Sequence, residues 1–241
     1  MRNSCLHQVS NPTRISLLVT HLTSLNYPLL ISLLLLSHNV QANALSSWKV
    51  WQQNSDLSVL YRASQYNDVI EIKAQAKVNS SLAGFIYFIE DFKLAPHWLD
   101  NVESAKCISQ ISSEENVFIT RFKGLWPISA REIVAHSRYW QNEDLSVEIA
   151  VKDAGDTIEK NQNVIRMKVL SAHWTIVPLD NKRIAITYQF MVDPKGNVPL
   201  WLTKPITLNG IWTTLHNIQR QLPKSKWQQQ VKSNIQEIQS Q

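Results

Sequence analysis

Between positions 102 and 191 apolar and polar residues alternate with a period of two, in stretches parted by short polar turns, and this commits most of the chain to an antiparallel meander. The strand candidates are 102–111, 116–122, 131–140, 145–151, 164–177 and 183–191. Side chains on a strand alternate between faces, so one set must face a core. Phe118, Thr120 and Phe122 form that set in the second stretch, and Ile133, Ala135, Ser137 and Tyr139 in the third. Leu145, Val147, Ile149 and Val151 follow, with Glu148 turned to solvent, and Ile184, Ile186, Tyr188 and Phe190 complete the face.

Helical periods bracket the meander. Residues 46–53 open with serines and read as a short helix, followed by strands at 57–63 and 69–78 joined by a polar turn at 64–68. Ser80 and Ser81 then cap an amphipathic helix with Leu82, Phe85, Ile86, Ile89 and Phe92 on one face, ending near Pro96 and Trp98. After the turn residues 193–197, Leu208, Ile211, Trp212, Leu215, Ile218 and Leu222 recur at helical spacing, and Pro223 ends that helix. Trp227, Val231, Ile235 and Ile238 could stripe one more helix in the tail, whose lysines Lys224, Lys226 and Lys232 read as a solvated cluster. The fold class expected is α+β: a curved sheet of about eight strands wrapped around a long C-terminal helix, with room for a hydrophobic cavity.

Residues 1–42 hold Arg2, Arg14 and no acid, then an apolar run from Pro28 to Leu36 and Val40-Gln41-Ala42 before a cut. This is the pattern of a secretory signal peptide, and it predicts an exported, periplasmic protein. An uncleaved anchor is the alternative, but a membrane span needs about 20 apolar residues. The domain division expected is thus a leader over 1–42, a folded domain over 43–222 and a Gln/Lys-rich tail over 223–241. Loss of the leader's two arginines takes the formal charge from +5 to +3, with the bases scattered among acids, which argues against a nucleic-acid partner. Cys107 is then the one cysteine left, so no internal disulfide can form; its strand-like surroundings suggest burial.

The chemistry of nucleotides, metals and nucleophiles finds little footing. Five scattered glycines cannot build a Gly-rich phosphate loop. His97, His136, His173 and His216 are isolated, with no metal-ligand spacing and no Cys pair, so no metal or cofactor is expected. Gly-x-Ser-x-Gly is missing, and the carboxylate pairs Glu90-Asp91, Glu114-Glu115 and Glu143-Asp144 sit where solvation is the ordinary outcome. A triad dispersed through the fold stays open.

Several segments, in order, resemble the START family, the steroidogenic-acute-regulatory-protein-related lipid-transfer domains. Trp98 follows the first amphipathic helix, and Pro127-Ile128-Ser129-Ala130-Arg131-Glu132 resembles the family's Pro-x-Ser-x-Arg-Asp segment, with glutamate in place of aspartate. Val164-Ile165-Arg166 opens a long strand, and Ile186-Thr187-Tyr188 leads to Asp193-Pro194-Lys195-Gly196 and Val198-Pro199. The resemblance covers Trp48 to Leu222 and implies a helix-grip fold that holds one lipid or sterol-like molecule. It implies closure by the C-terminal helix and a loop between central strands, here 153–163. Sterol-binding members pair a buried acid with an arginine on neighbouring strands; Phe122 and Ser137 stand at those positions. Strand period places Arg166 beside Lys168 on the outer face as an ion-pair residue, and Arg131 with Glu132 reads as a tie at the strand end.

On this reading the chain is expected to bind a lipid or other hydrophobic small molecule in an internal cavity and to be able to transfer it, with transient contact with a membrane surface. The lining residues expected are Phe118, Thr120, Phe122, Ser137, Tyr139, Ile149, Met167, Tyr188, Trp212 and Leu215. Each could instead be plain core. Opening of the helix that carries Trp212 would admit the ligand. Two alternatives stand beside this one: an enzyme of the helix-grip class acting on a hydrophobic small molecule, and a non-catalytic envelope adaptor whose cavity is filled by its own side chains.

Overall fold

The computed structural model describes residues 47–238. The leader expected over 1–42 lies outside the described residues. Elements follow in the order β1 (Lys49–Gln53), β2 (Leu57–Ala63), β3 (Ile70–Asn79), α1 (Leu82–Glu90), α2 (Ala95–Trp98), β4 (Val102–Gln110), β5 (Glu115–Phe122) and β6 (Arg131–Gln141). Then come β7 (Val147–Asp153), β8 (Ile165–Arg166), β9 (Lys168–Leu179), β10 (Arg183–Asp193) and α3 (Leu200–Gln221). The sheet runs β1-β2-β3-β10-β9-β7-β6-β5-β4, antiparallel throughout, with β8 added in parallel to β6. This is the α+β helix-grip arrangement expected, a curved sheet closed over a long C-terminal helix.

Three strands differ from expectation, and the helix expected to run from Leu82 to near Pro96 ends at Glu90, with Ala95–Trp98 a separate turn of helix. Residues 49–53 form a strand and not a helix, because Leu57–Ala63 offers an open edge to pair with, whereas a single helical turn so short has little stability of its own. The long strand expected at 164–177 breaks at Met167, where the chain leaves β6 and joins β7 and β10. Leu145 does not face inward; it sits in the β6–β7 turn with φ 65°.

Helix α1 starts where Ser81 accepts a hydrogen bond from the Gly84 amide at 3.0 Å. Leu82, Ala83, Gly84, Phe85, Ile86 and Phe88 are all buried, so the helix is apolar almost all round and serves as a plug. Each such large side chain contributes roughly 1.5–3 kcal/mol on burial. The inner face of the sheet meets it with Ile72, Ala74, Ala76, Ile149, Ile176, Ile184 and Ile186, and α3 adds Leu208, Leu215 and Ile218, with Leu222 just past its end.

The outer face is not simply solvated. Glu132 is fully buried there, taking Arg166 at 2.5 Å and Arg121 at 3.2 Å, which bears out the ion-pair reading of Arg166. The loop after β7 packs Ala154 and Ile158 against Ile119 and Val134, and Arg166 donates to the carbonyls of Gly155, Ile158 and Glu159. Glu148 accepts from Thr175 and pairs with His173, so it too is half-buried. Cys107, expected to be buried, is exposed, because β4 is an edge strand whose outer length nothing covers.

The segment after α3 corrects two expectations at once. It forms only short 3-10 turns at Leu222–Lys224 and Lys226–Gln229 in place of a helix, and of its three lysines Lys224 and Lys226 are exposed while Lys232 is buried. It crosses α1 as a strap: Trp227 stacks on Tyr87, Lys232 meets Glu90 at 3.0 Å, and Ile235 is buried. Asn234 donates to the Tyr139 hydroxyl, Gln236 and Gln141 exchange two bonds, and the Glu237 carboxylate accepts the Leu82 and Ala83 amides. That carboxylate satisfies donors left over at a helix start and complements the helix dipole.

Candidate functional site

The inner face divides between two occupants. Helix α1 fills one half, while the first half of α3 stands off the other and leaves a cavity of about 290 Å³. Part of the reason lies in one row of α3: Thr203, Thr207, Gly210 and Thr214 border the cavity at spacings of three and four, where larger side chains would have narrowed it, while Leu200, Ile206 and Ile211 of the same helix add apolar wall. At Gly210 an added Cβ would come within 3.1 Å of the Asp100 carboxylate, so this helix position also needs to be small. Partial desolvation on its α3 side raises the pKa of the Asp100 carboxyl, although the residue stays open to solvent.

The remaining walls come from the start of β3 (Ile70, Ile72), the end of β10 (Tyr188, Phe190, Val192) and the start of β6 (Arg131, Ile133). Met167, Leu99 and the β5–β6 loop residues Leu125 and Ile128 close it. The lining is predominantly apolar, with polar groups at few places, as ligand cavities are. One aromatic row runs along the floor: Trp174 stacks on Tyr188 at 3.9 Å, and Tyr188 on Phe190 at 4.5 Å. Tyr188 keeps accessible surface although it lies deep in the protein, because that surface opens to the cavity. Its hydroxyl has no protein hydrogen-bond partner among the described residues, and burial pushes its pKa well above the tyrosine value.

Of the lining residues expected from sequence, Phe122, Met167 and Tyr188 border the cavity together. The other seven lie elsewhere. Tyr139 and Ile149 are core beside α1, and Tyr139 donates to the Ser113 carbonyl. Phe118 stacks on Phe92 at 5.4 Å, Thr120 is buried on β5, and Ser137 lies on β6 opposite Asn116 and Val151. Leu215 packs in the core, and Trp212 sets its ring edge-on to His216. For Tyr139 and Ile149 the cause is that α1 takes the part of the sheet they serve.

The loop at 153–163 was expected to close the cavity, yet no residue of it reaches the cavity; it is pinned to the outer face by Arg166 and Ile158. The β5–β6 loop takes that place, carrying Trp126, 96% exposed, beyond Leu125 and Ile128. Trp201 at the start of α3 is 76% exposed and lines a broader polar recess that shares Asp68, Val69, Pro194 and Leu200 with the cavity. Arg131, expected to be a strand-end tie, does tie the start of β6 to the turn after β10, donating to the carbonyls of Ser129, Pro194 and Lys195, and it also borders the cavity. Sequence reasoning missed the threonine and glycine row of α3, although its three-and-four spacing is visible in the chain.

A family model described as START domain matches residues 38–228. An uncharacterized protein of Pseudomonas aeruginosa is 24% identical over 186 residues, covering 74% of this chain and 89% of its own. Among solved structures, a STAR-related lipid transfer protein from Xanthomonas axonopodis superposes with a TM-score of 0.65 at 20% identity, over 73% of this chain and 99% of that one. Human StAR-related lipid transfer protein 5 gives 0.64 at 16% identity, over 74% and 88%.

Proposed function

The chain belongs to the START domain family, and on that premise we propose that it holds a single amphiphilic small molecule in the cavity under α3 and carries it between hydrophobic environments. The observation that carries this reading is the pairing of an apolar chamber with a helix that sets one row of small residues, Thr203, Thr207, Gly210 and Thr214, along it. A chain sheds water at about 0.8 kcal/mol per buried methylene, so an apolar wall supplies affinity and a few polar groups supply orientation. At about 290 Å³ the chamber lies at the low end of ligand cavities, roughly 300–1,000 Å³, which favours one chain over two.

Loading needs a way in. The β5–β6 loop and the first turns of α3 form the roof, and Trp126 and Trp201 stand exposed there with Lys123 and Lys195 nearby in sequence or recess. Tryptophans are suited to the lipid–water interface and lysines to anionic headgroups, so this end of the molecule is the one to meet a membrane. The leader expected over 1–42 would place that encounter in the cell envelope.

Native mass spectrometry of the protein purified without detergent, followed by extraction, tests the reading. One equivalent of a bound amphiphile is the expected result. Protein that emerges empty, and stays empty after incubation with single-chain lipids, overturns it in favour of an adaptor.

A further inference from the structure

Five side chains charged at neutral pH border the cavity: Asp68, Asp100, Lys123, Arg131 and Lys204. Asp68, Asp100 and Lys123 are open to solvent, and Lys204 rests over the Tyr61 ring at 4.0 Å. Arg131 alone is buried, with 7% of its surface exposed. Its three bonds all end on main-chain carbonyls, from Nη1 to Ser129 at 2.7 Å, Nε to Pro194 at 3.2 Å and Nη2 to Lys195 at 3.4 Å. Among the described residues no carboxylate pairs with it.

Arg166 makes the contrast. Its side chain also has little exposure, yet it meets the Glu132 carboxylate, so its charge is cancelled where it lies. Carbonyl dipoles hold the Arg131 guanidinium in place but leave its full charge against an apolar wall, and burial accordingly draws its pKa down. A guanidinium also has more N–H donors than the three used here, in a planar fork that matches carboxylate and phosphate oxygens. An anion arriving at this spot would gain a charge-assisted bond and relieve an uncompensated buried cation.

We infer that the cavity selects single-chain amphiphiles with an anionic head, a carboxylate or a phosphate monoester, seated on Arg131 with the chain running past Met167 towards Tyr188. The inference rests on the carrier reading above and adds the head group to it. The head lies at the vestibule end, beside the turn at 193–197, and the chain occupies the aromatic end of the chamber.

Calorimetric titration with dodecanoic acid, dodecyl phosphate and dodecanol tests it, using thermal unfolding to check that each variant is folded. The wild-type protein should bind at least one of the anionic ligands tenfold or more tighter than the alcohol, about the worth of one hydrogen bond to a charged group. The ratio of acid to phosphate then names the source of the head. Arg131→Gln should erase the preference and leave dodecanol affinity within about twofold, while Arg131→Lys, which keeps a charge, should retain part of it. Equal binding of acid, phosphate and alcohol to wild type overturns the inference but not the carrier reading, and does so even if Arg131→Gln fails to fold. A preference that survives in Arg131→Gln overturns it as well, in favour of Lys123 and Lys204. Binding of none of the three overturns the carrier reading and the inference with it.

Discussion

Under α1 the inner face of the sheet is solid, and under the first half of α3 it is hollow, although β3, β6 and β10 contribute to both. The sheet residues are alike in kind, so the helices make the difference. Helix α1 presents Leu82, Phe85, Ile86 and Phe88, whose rings reach Trp174 at 5.9 Å and Trp98 at 5.4 Å. Helix α3 sets a row of threonines and Gly210 over the cavity, beside Leu200, Ile206 and Ile211, and packs Leu208, Leu215 and Ile218 into the core. Packing at crystal-like density is thus the rule of one half, and the other departs from it by choosing short side chains along one helix row.

Truncating the plug is the strongest test of that contrast. Phe85→Ala should lose about 3–5 kcal/mol in urea unfolding, since a closed core cannot collapse around the void. A loss under about 1 kcal/mol would mean the solid half is not solid. Next in size, Lys232→Met should cost about 2 kcal/mol at pH 8, by stripping the Glu90 carboxyl of its partner. Burial already raises the Glu90 pKa, against the lowering effect of Lys232. A carboxyl whose folded pKa is raised binds its proton more readily when folded, so it favours the folded state at acid pH, and that contribution is lost as pH rises through the folded pKa. The variant's deficit should therefore shrink between pH 8 and pH 5, read by unfolding at both.

In the hollow half the same kind of change should do little to stability. Thr207→Leu adds volume where there is room, and its unfolding free energy should stay within about 0.5 kcal/mol of wild type or rise. Its ligand uptake should fall sharply in the same titrations; a stability loss of 1–3 kcal/mol, the cost of overpacking, would show the chamber to be filled. Smallest of all, Tyr188→Phe removes a hydroxyl with no protein partner and should leave the thermal midpoint within a degree or so of wild type, any change in ligand affinity reporting a bond that the ligand supplies.

Strand period sufficed for most of the meander, since alternation at Phe118, Tyr188 and Ile186 follows from side chains pointing to opposite faces, and it placed Arg166 outside. It could not tell which stretch of the inner face faces a cavity. That depends on what lies opposite, and Tyr139 and Ile149 read no differently from Tyr188 until α1 is seen above them. The clue was available in α1 itself, where Ala83, Gly84 and Phe88 extend the apolar stripe almost all the way round, the mark of a buried helix. The 49–53 strand was hidden because so short a segment takes its structure from its neighbour. The strap was hidden because its anchors, Lys232, Asn234 and Glu237, are polar, and polar tails ordinarily remain in water.

The Glu237 carboxylate that receives the first amides of α1 sits 155 residues downstream of Leu82. While the ribosome is making the sheet, α1 has its Ser81 cap but lacks this second one, and the plug must wait with its amides in water. Contacts so distant along the chain slow folding, because a long loop must close before they form. The order of synthesis is then the reverse of the order of completion: a helix that precedes most of the sheet is finished by a residue that follows all of it.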